Sequence, residues 1–429
     1  MGYIILLLLN LIAPLAGAGV ILFFLFSSRR NLLKNLRTEL GQRFAFGKGG
    51  RVPGGCIWLH AASVGEVRSC VGVTRLLKVY YSRPALITCT TAAGRAVAQK
   101  EPVFDIVALA PADFYPFIKK FIKIYKPFRL FIIESDLWPN MITACANNGV
   151  PVGIINGRLS RRSAGRYKLL WPLFKLVLSK ISLICTQTED IARLYAELGA
   201  LRRKIRVCGN MKYDILNEDP PRQSETAARL AALGWAGAPI IACGSTHEEE
   251  ERVIIAAAKK LPAAKFIIAP RHLERAGQTA QMLKESGIGY AVLSKIKERG
   301  VFNKPPQILL ADAMGWLGAF YKAAAIVFVG GSISRRGGHN FLEAAVLGRP
   351  VLLGRYYYNA PEAAQKLLAE GGGFLVDADN FAEVVDKLLK QPAALQNAAS
   401  AAGLAAQSFK GATDKTLSAI KEYERNAKT

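Results

Sequence analysis

The chain has 429 residues, more than one ordinary hydrophobic core organises, so two domains behind a short leader are expected. Hydrophobic residues make up 51% and charged residues only 21%, which excludes a disordered chain, and seven singly scattered cysteines exclude a disulfide framework and fit a reducing compartment. A formal net charge of +25 calls for an anionic partner: a membrane surface, nucleic acid or a phosphorylated substrate.

The N-terminus chooses among these. Gly2 to Phe26 carries no charge over 25 residues, roughly 37 Å of helix against a hydrocarbon core of about 30 Å. A membrane anchor over residues 1–28 is expected, spanning or, given Pro14, Gly17 and Gly19, lying in the interface. Arg29, Arg30, Lys34 and Arg37 follow the apolar run, whereas a secretory signal carries its charge before it, so the body is expected on the cytoplasmic side.

Past the anchor, short apolar runs alternate with helix-like segments, the pattern of parallel sheets wrapped by helices. The first series is Cys56 to His60, Ala85 to Thr88, Ile106 to Leu109, Leu130 to Ile133, Val152 to Ile155, Leu183 to Cys185 and Ile205 to Cys208. A polar gap from Asn217 to Ser224 precedes a second series at Ile240 to Ala242, Phe266 to Ile268, Ala291 to Leu293, Ile308 to Leu310, Ile326 to Val329 and Val351 to Leu353. Two doubly wound α/β domains are expected, 29–215 and 216–429. The alanine-rich tail from Ala393 to Ala406 reads as helical, and the last helix is able to pack back on the first domain.

Ligands of such folds sit at the carboxyl ends of strands. All four histidines stand there: His60, His247, His272 and His339. His60-Ala-Ala-Ser-Val-Gly-Glu66 sets Glu66 at the head of the next helix, where a carboxylate can take a proton or simply face the helix dipole. Ile133-Glu-Ser-Asp-Leu-Trp-Pro-Asn140 ends a strand in two acids and an aromatic. Gly330-Gly-Ser-Ile-Ser-Arg-Arg-Gly-Gly-His-Asn-Phe-Leu-Glu343 reads as strand, glycine turn and a helix from Phe341 to Leu347, with amides near Gly330 and Gly331 offered to a phosphate, or else a turn built for packing. Asp377-Ala-Asp379 has the spacing of a cation site, but Asp379 is better read as the N-cap of the helix from Phe381. No metal is expected.

Taken in order, HAASVGE at 60–66, IESDLWPN at 133–140, NGRLS at 156–160, GNMKYD at 209–214, GSTHEEEE at 244–251, APRHLER at 269–275, DAMGWL at 312–317 and VGGSISRRGGHNFLEAA at 329–345 make a chain that resembles the Kdo transferases, which attach 3-deoxy-D-manno-octulosonic acid (Kdo) to a lipid A precursor. The resemblance implies a GT-B fold of two Rossmann-like domains facing a cleft, an N-terminal acceptor domain and a C-terminal donor domain, and inverting transfer from CMP-Kdo without metal or cofactor. It implies Glu66 as general base, Glu134 and Lys212 as transition-state stabilisers, and Pro270, Arg271, Met314, Gly315, Trp316, Asn340 and Glu343 at the CMP site. Ser245, His272, Gly330 and Gly331 join the donor set by their strand-end positions. The chain departs from the family pattern at Glu249, where a glycine is usual, at Trp316, where an acid is usual, and at Arg355-Tyr-Tyr-Tyr358, which replaces a loop containing Pro and His.

Residues 157–180 carry Arg158, Arg161, Arg162, Arg166, Lys168, Lys175 and Lys180 and no acid, interleaved with Leu169 to Trp171 and Leu173-Phe174. With Arg29 to Arg43, this segment is expected to form the face that meets a phosphorylated lipid A precursor and an anionic membrane, the cell inner membrane on its cytoplasmic side. No nucleic-acid module is recognisable. Two other classes share parts of this pattern: a membrane-associated GT-B enzyme using a UDP-sugar on a lipid, and a non-catalytic anionic-lipid-binding protein.

Overall fold

The computed structural model describes residues 1–11, 43, 55–216, 219–296 and 304–426. They form two compact units, Met1–Ile215 with Lys410–Thr429, and Leu216–Phe409.

The first unit is built on seven parallel strands, β1 (Cys56–Ala61), β2 (Ala85–Cys89), β3 (Ile106–Leu109), β4 (Pro127–Ile133), β5 (Val152–Gly157), β6 (Ile181–Thr186) and β7 (Ile205–Val207), in the order β3-β2-β1-β4-β5-β6-β7. Helices cover both faces, so strands such as β1 and β2 are buried throughout and read as unbroken apolar runs rather than alternating ones. The helix Val64–Tyr81 shows the local logic. Ser63 caps it by accepting from the Glu66 amide, the stripe Val67, Cys70, Val73 and Leu77 faces the sheet, and Ser82 ends it in the left-handed region at φ 51°. The helix Ala412–Asn426 packs on this same unit, where Ala412, Ala419 and Ile420 join the core of the first sheet. Its Glu424 pairs with the buried Arg129 at 2.8 Å, and its first amides, from Gly411 to Thr413, are capped by the Asp214 carboxylate.

The second unit has its own seven parallel strands, β8 (Ile240–Thr246), β9 (Lys265–Pro270), β10 (Tyr290–Val292), β11 (Ile308–Leu310), β12 (Ile326–Val329), β13 (Val351–Leu353) and β14 (Gly373–Leu375), in the order β10-β11-β9-β8-β12-β13-β14. Strand β14 escapes the sequence pattern because it has three residues and begins on the last of three glycines. The helix expected from Phe341 to Leu347 is only Leu342–Ala345, flanked by turns. Asp379 does not cap the helix Phe381–Lys390: the Asp377 carboxylate takes the amides of Asp379 and Asn380 instead, and the Asp377 carbonyl receives the Phe381 amide.

In each sheet the chain order reverses once, between β1 and β4 and between β8 and β12. These switch points open crevices at the carboxyl ends of the strands, where ligands of open α/β sheets bind.

The anchor expected over residues 1–28 falls largely outside the described residues. Residues 2–11 are helical, and no helix among the described residues is long and apolar enough to cross a membrane. All seven cysteines are buried free thiols.

Candidate active site

At the switch point of the first sheet the loop after β1 delivers Glu66. Its carboxylate accepts from the Ala62 amide at 2.6 Å and from the Ser63 hydroxyl at 3.1 Å, and remains half-exposed. Burial, reinforced by the neighbouring carboxylates Glu134 and Asp136, raises its pKa above the ordinary value despite those two bonds. That environment makes a stronger base than a free carboxylate.

Glu134 follows β4 and is 5% exposed. Its backbone is left-handed at φ 63°, a conformation that costs a non-glycine residue about 1 kcal/mol or more and persists only where the surroundings impose it. Here they do. The Glu134 amide donates to the Ile155 carbonyl, and its own carbonyl receives the Tyr195 hydroxyl at 3.4 Å. The carboxylate pairs with Lys212 Nζ at 2.6 Å and receives the Asn156 amide at 3.5 Å. Lys212 arrives on a short 3-10 turn, Met211–Tyr213, held by Asn156 Oδ1 on the Met211 amide and by Asn210 Oδ1 on the Lys212 amide. Behind this group, buried His60 holds Thr88 Oγ1 at 3.0 Å and faces Asp136 at 3.6 Å. Burial raises the Asp136 carboxyl, but hydrogen bonds from His60 and Trp138 outweigh it and the net shift is downward.

At and beside the switch point of the second sheet the expected donor residues stand at the ends of several strands. Arg271 and His272 follow β9 with exposed side chains. His339 and Asn340 close the glycine turn after β12, and Asn340 donates to Glu343 at 3.1 Å. Glu343 reaches solvent yet is ringed by protein, and this crowding raises its carboxyl although Asn340 and Arg271 oppose the shift. His247 ends the loop after β8, next to Ser245, whose φ is 55°. Met314 is exposed and Gly315 is left-handed at φ 83°. Trp316, in contrast, is buried, stacked on Phe320 and sandwiched by Arg222 and Arg229 at 4.7 and 4.8 Å, so its ring is not offered to a base.

The glycine turn itself is a correction. The amides of Gly331, Ser332, Ile333 and Ser334 all donate to the carboxylate of Glu250, 80-odd residues earlier, at 2.9 to 3.2 Å, and the Gly330 amide donates to the Gly244 carbonyl. Of the two readings open to the turn, a phosphate nest or a packing turn, its amides take an internal anion instead of an external phosphate. Gly330 and Gly331 are glycines for packing: a Cβ would stand 2.3 Å from the Ser245 carbonyl oxygen at the first and 2.9 Å from the His339 ring at the second.

The family model described as 3-deoxy-D-manno-octulosonic-acid transferase (kdotransferase) matches residues 38–215. The 3-deoxy-D-manno-octulosonic acid transferase of Haemophilus influenzae is 32% identical over 91% of this chain and 92% of its own length. The chain belongs to the Kdo transferase family. The Bordetella pertussis transferase of the same name is 30% identical over 86% of this chain and 87% of its own. A solved glycosyltransferase from Rickettsia africae, 14% identical, aligns with a TM-score of 0.59 over 87% of this chain and all of its own, a likeness of fold.

In this Kdo transferase the basic segment forms two helices, Arg161–Leu169 and Trp171–Ser179, and Arg158, Arg161, Arg162 and Arg166 are all exposed. The acids missing from the segment itself come from the neighbouring helix Glu189–Glu197: Lys168 pairs with Glu197 at 2.9 Å, and Arg161 lines a groove of about 500 Å³ with Asp190 and Glu197. Leu169, Leu170 and Trp171 are exposed beside them. Helical residues 2–11 bury Leu6 in the first unit, set Tyr3 under Lys180, and leave Ile4, Leu7 and Leu11 in solvent. Arg29, Arg30, Lys34 and Arg37 lie outside the described residues, while Arg43 donates to the Thr90 carbonyl.

Proposed function

We propose that the chain transfers Kdo from CMP-Kdo to a phosphorylated lipid A precursor, a step of lipopolysaccharide inner-core synthesis. The observation that carries this reading is the assembly of Glu66, Glu134 and Lys212 at one switch point, in a chain of this family. Glu66 takes the proton of the acceptor hydroxyl, whose oxygen attacks the anomeric carbon. The bond from that carbon to the phosphate oxygen breaks, and its electron pair leaves with CMP. One displacement inverts the centre. Glu134, fixed by Lys212, stabilises the cation-like carbon, Lys212 supplies preorganised positive charge for the transition state, and Arg271 of the second unit answers the leaving phosphate. Side chains thus meet the developing charge, and no divalent ion is required.

The acceptor is received by the first unit, with Arg158, Arg161, Arg162 and Arg166 on its phosphates, and the second unit holds the nucleotide through Arg271, Asn340 and Glu343. The exposed Leu169 to Trp171 beside these cations, together with the apolar N-terminal residues, fit attachment at the cytoplasmic face of the inner membrane. Purified protein given CMP-Kdo and a lipid A precursor, with products resolved by mass, tests the reading. Lipid heavier by one or more Kdo residues is expected, with activity retained in excess chelator. Turnover of a UDP-sugar with none of CMP-Kdo would reject it.

A further inference from the structure

Three of the four histidines meet in the second unit. His247 and His339, 92 residues apart, bring their Nε2 atoms to 3.2 Å with ring planes only 20° apart, and His272 stands edge-on to His247 at 6.0 Å between centroids. At 3.2 Å one imidazole donates and the other accepts, so the pair shares one proton and cannot hold two without an anion beside it.

The charges facing the pair are mostly positive. His247 faces Arg336, His272 and Arg275, with Glu249 as the opposing charge, and His339 faces Arg271 and His272. Arg275 is neutralised by Glu248 and Glu251 at 3.7 and 3.4 Å. The side chains of Arg271 and Arg336 form no salt bridge among the described residues, although Arg271 feels the Glu343 carboxylate. A half-buried histidine pair with this excess of cations around it favours an anion. The glycine turn cannot hold that anion with its backbone, because Glu250 has taken its amides.

We propose that His247 and His339 together receive an oxyanion of the bound nucleotide sugar, its phosphate or its sugar carboxylate, through their imidazole N–H groups. The proposal rests on the reading that this unit holds CMP-Kdo. Without a ligand protonation of the pair is disfavoured: burial and the facing cations lower His247, and the same causes lower His339 to about 4. A bound oxyanion reverses the local field and the pair takes up one proton. Affinity is therefore greatest at low pH and falls as pH rises through the value the pair has in the complex.

Calorimetric titration of the full chain with CMP, with free Kdo and with cytidine tests this at pH 6 and pH 8, in the wild type, His339→Gln and His247→Gln. For whichever of CMP or Kdo carries the contacting oxyanion, wild-type affinity should gain roughly tenfold more than either variant between pH 8 and pH 6. Cytidine should bind all three proteins alike, which also reports an intact fold. In the wild type alone, buffers of different ionisation enthalpy should reveal close to one proton absorbed at pH 7. Zero uptake with both CMP and Kdo, or parallel pH dependence in wild type and variants for both, overturns the proposal. A chain that transfers Kdo with no such uptake would sink this inference and leave the function standing; one that absorbs the proton yet makes no Kdo-lipid would do the reverse.

Discussion

The two units place a glutamate at the same point of the same local device, and the chemistry of the two glutamates diverges. Glu66 lies three residues after its helix N-cap Ser63, at the end of the first strand of its sheet, and Glu250 lies three residues after His247 in the equivalent place. Both reach back to a backbone amide, Ala62 at 2.6 Å and His247 at 3.0 Å. Glu66 gains one further donor, a hydroxyl, and stays half-exposed. Glu250 gains four more amides and is fully buried. A carboxylate has about four lone-pair sites. Glu250 has spent them on holding a loop, whereas Glu66 keeps some for a proton. The head of a helix therefore does not define a base; the number of donors already engaged there does.

The sharpest way to break this contrast is to remove the charge at each position. Glu66→Gln should lower kcat by about 10²–10⁴-fold with little change in thermal stability, the usual loss when a general base is removed. Burial raises the Glu66 carboxyl, so the rate of the wild type should fall as pH drops through a value above the ordinary carboxylate range, because the protonated form cannot accept the acceptor's proton. The variant's pH profile should lack that acid limb. Glu250→Gln should act the other way round. One amide oxygen cannot satisfy five N–H groups, three of them buried, and the stranded donors should lower stability by about 3 kcal/mol, read as a shift of the urea midpoint. Its residual activity should show a raised KM for CMP-Kdo, since the loosened turn carries His339 and Asn340. A Glu250→Gln protein of native stability that transfers nothing would erase the distinction.

The place of Glu66 at the head of a helix was legible in the sequence because His60-Ala-Ala-Ser-Val-Gly-Glu66 follows a buried strand, while its capping by Ser63 emerges from the structure. Glu250 was not. It sits in a run of four acids, Glu248 to Glu251, whose pattern does not tell which members face inward; burial of the glycine turn against the helix start decides that Glu250 and Glu251 do. The parallel sheets were visible since strands buried on both faces give continuous apolar runs, while β14, three residues after a pair of glycines, gave no such run. The approach of His247 to His339 depends on β8 and β12 being neighbours, a fact of topology that spacing in the sequence does not carry. Trp316 was placed at the CMP site by the family resemblance alone, and the motif does not carry the fact that two arginines, from the helix Gln223–Ala232 and the turn before it, stand over its ring.

The smallest predicted effect discriminates most finely between the two carboxylates. Ser63 Oγ accepts the Glu66 amide at 3.4 Å and donates to the Glu66 carboxylate at 3.1 Å. Ser63→Ala removes the N-cap, worth about 1 kcal/mol of stability, and removes one of the two hydrogen bonds that, among the described residues, favour the ionised carboxylate. Burial and the nearby Glu134 and Asp136 are then less opposed, so the Glu66 carboxyl should rise further. The acid limb of the pH–rate profile should move to higher pH while the plateau above it changes little. Because the Ala62 amide remains, the fold and the base itself persist. An acid limb that does not move would mean that the hydroxyl donates elsewhere, and the free lone pairs that set Glu66 apart from Glu250 would then have to be counted differently.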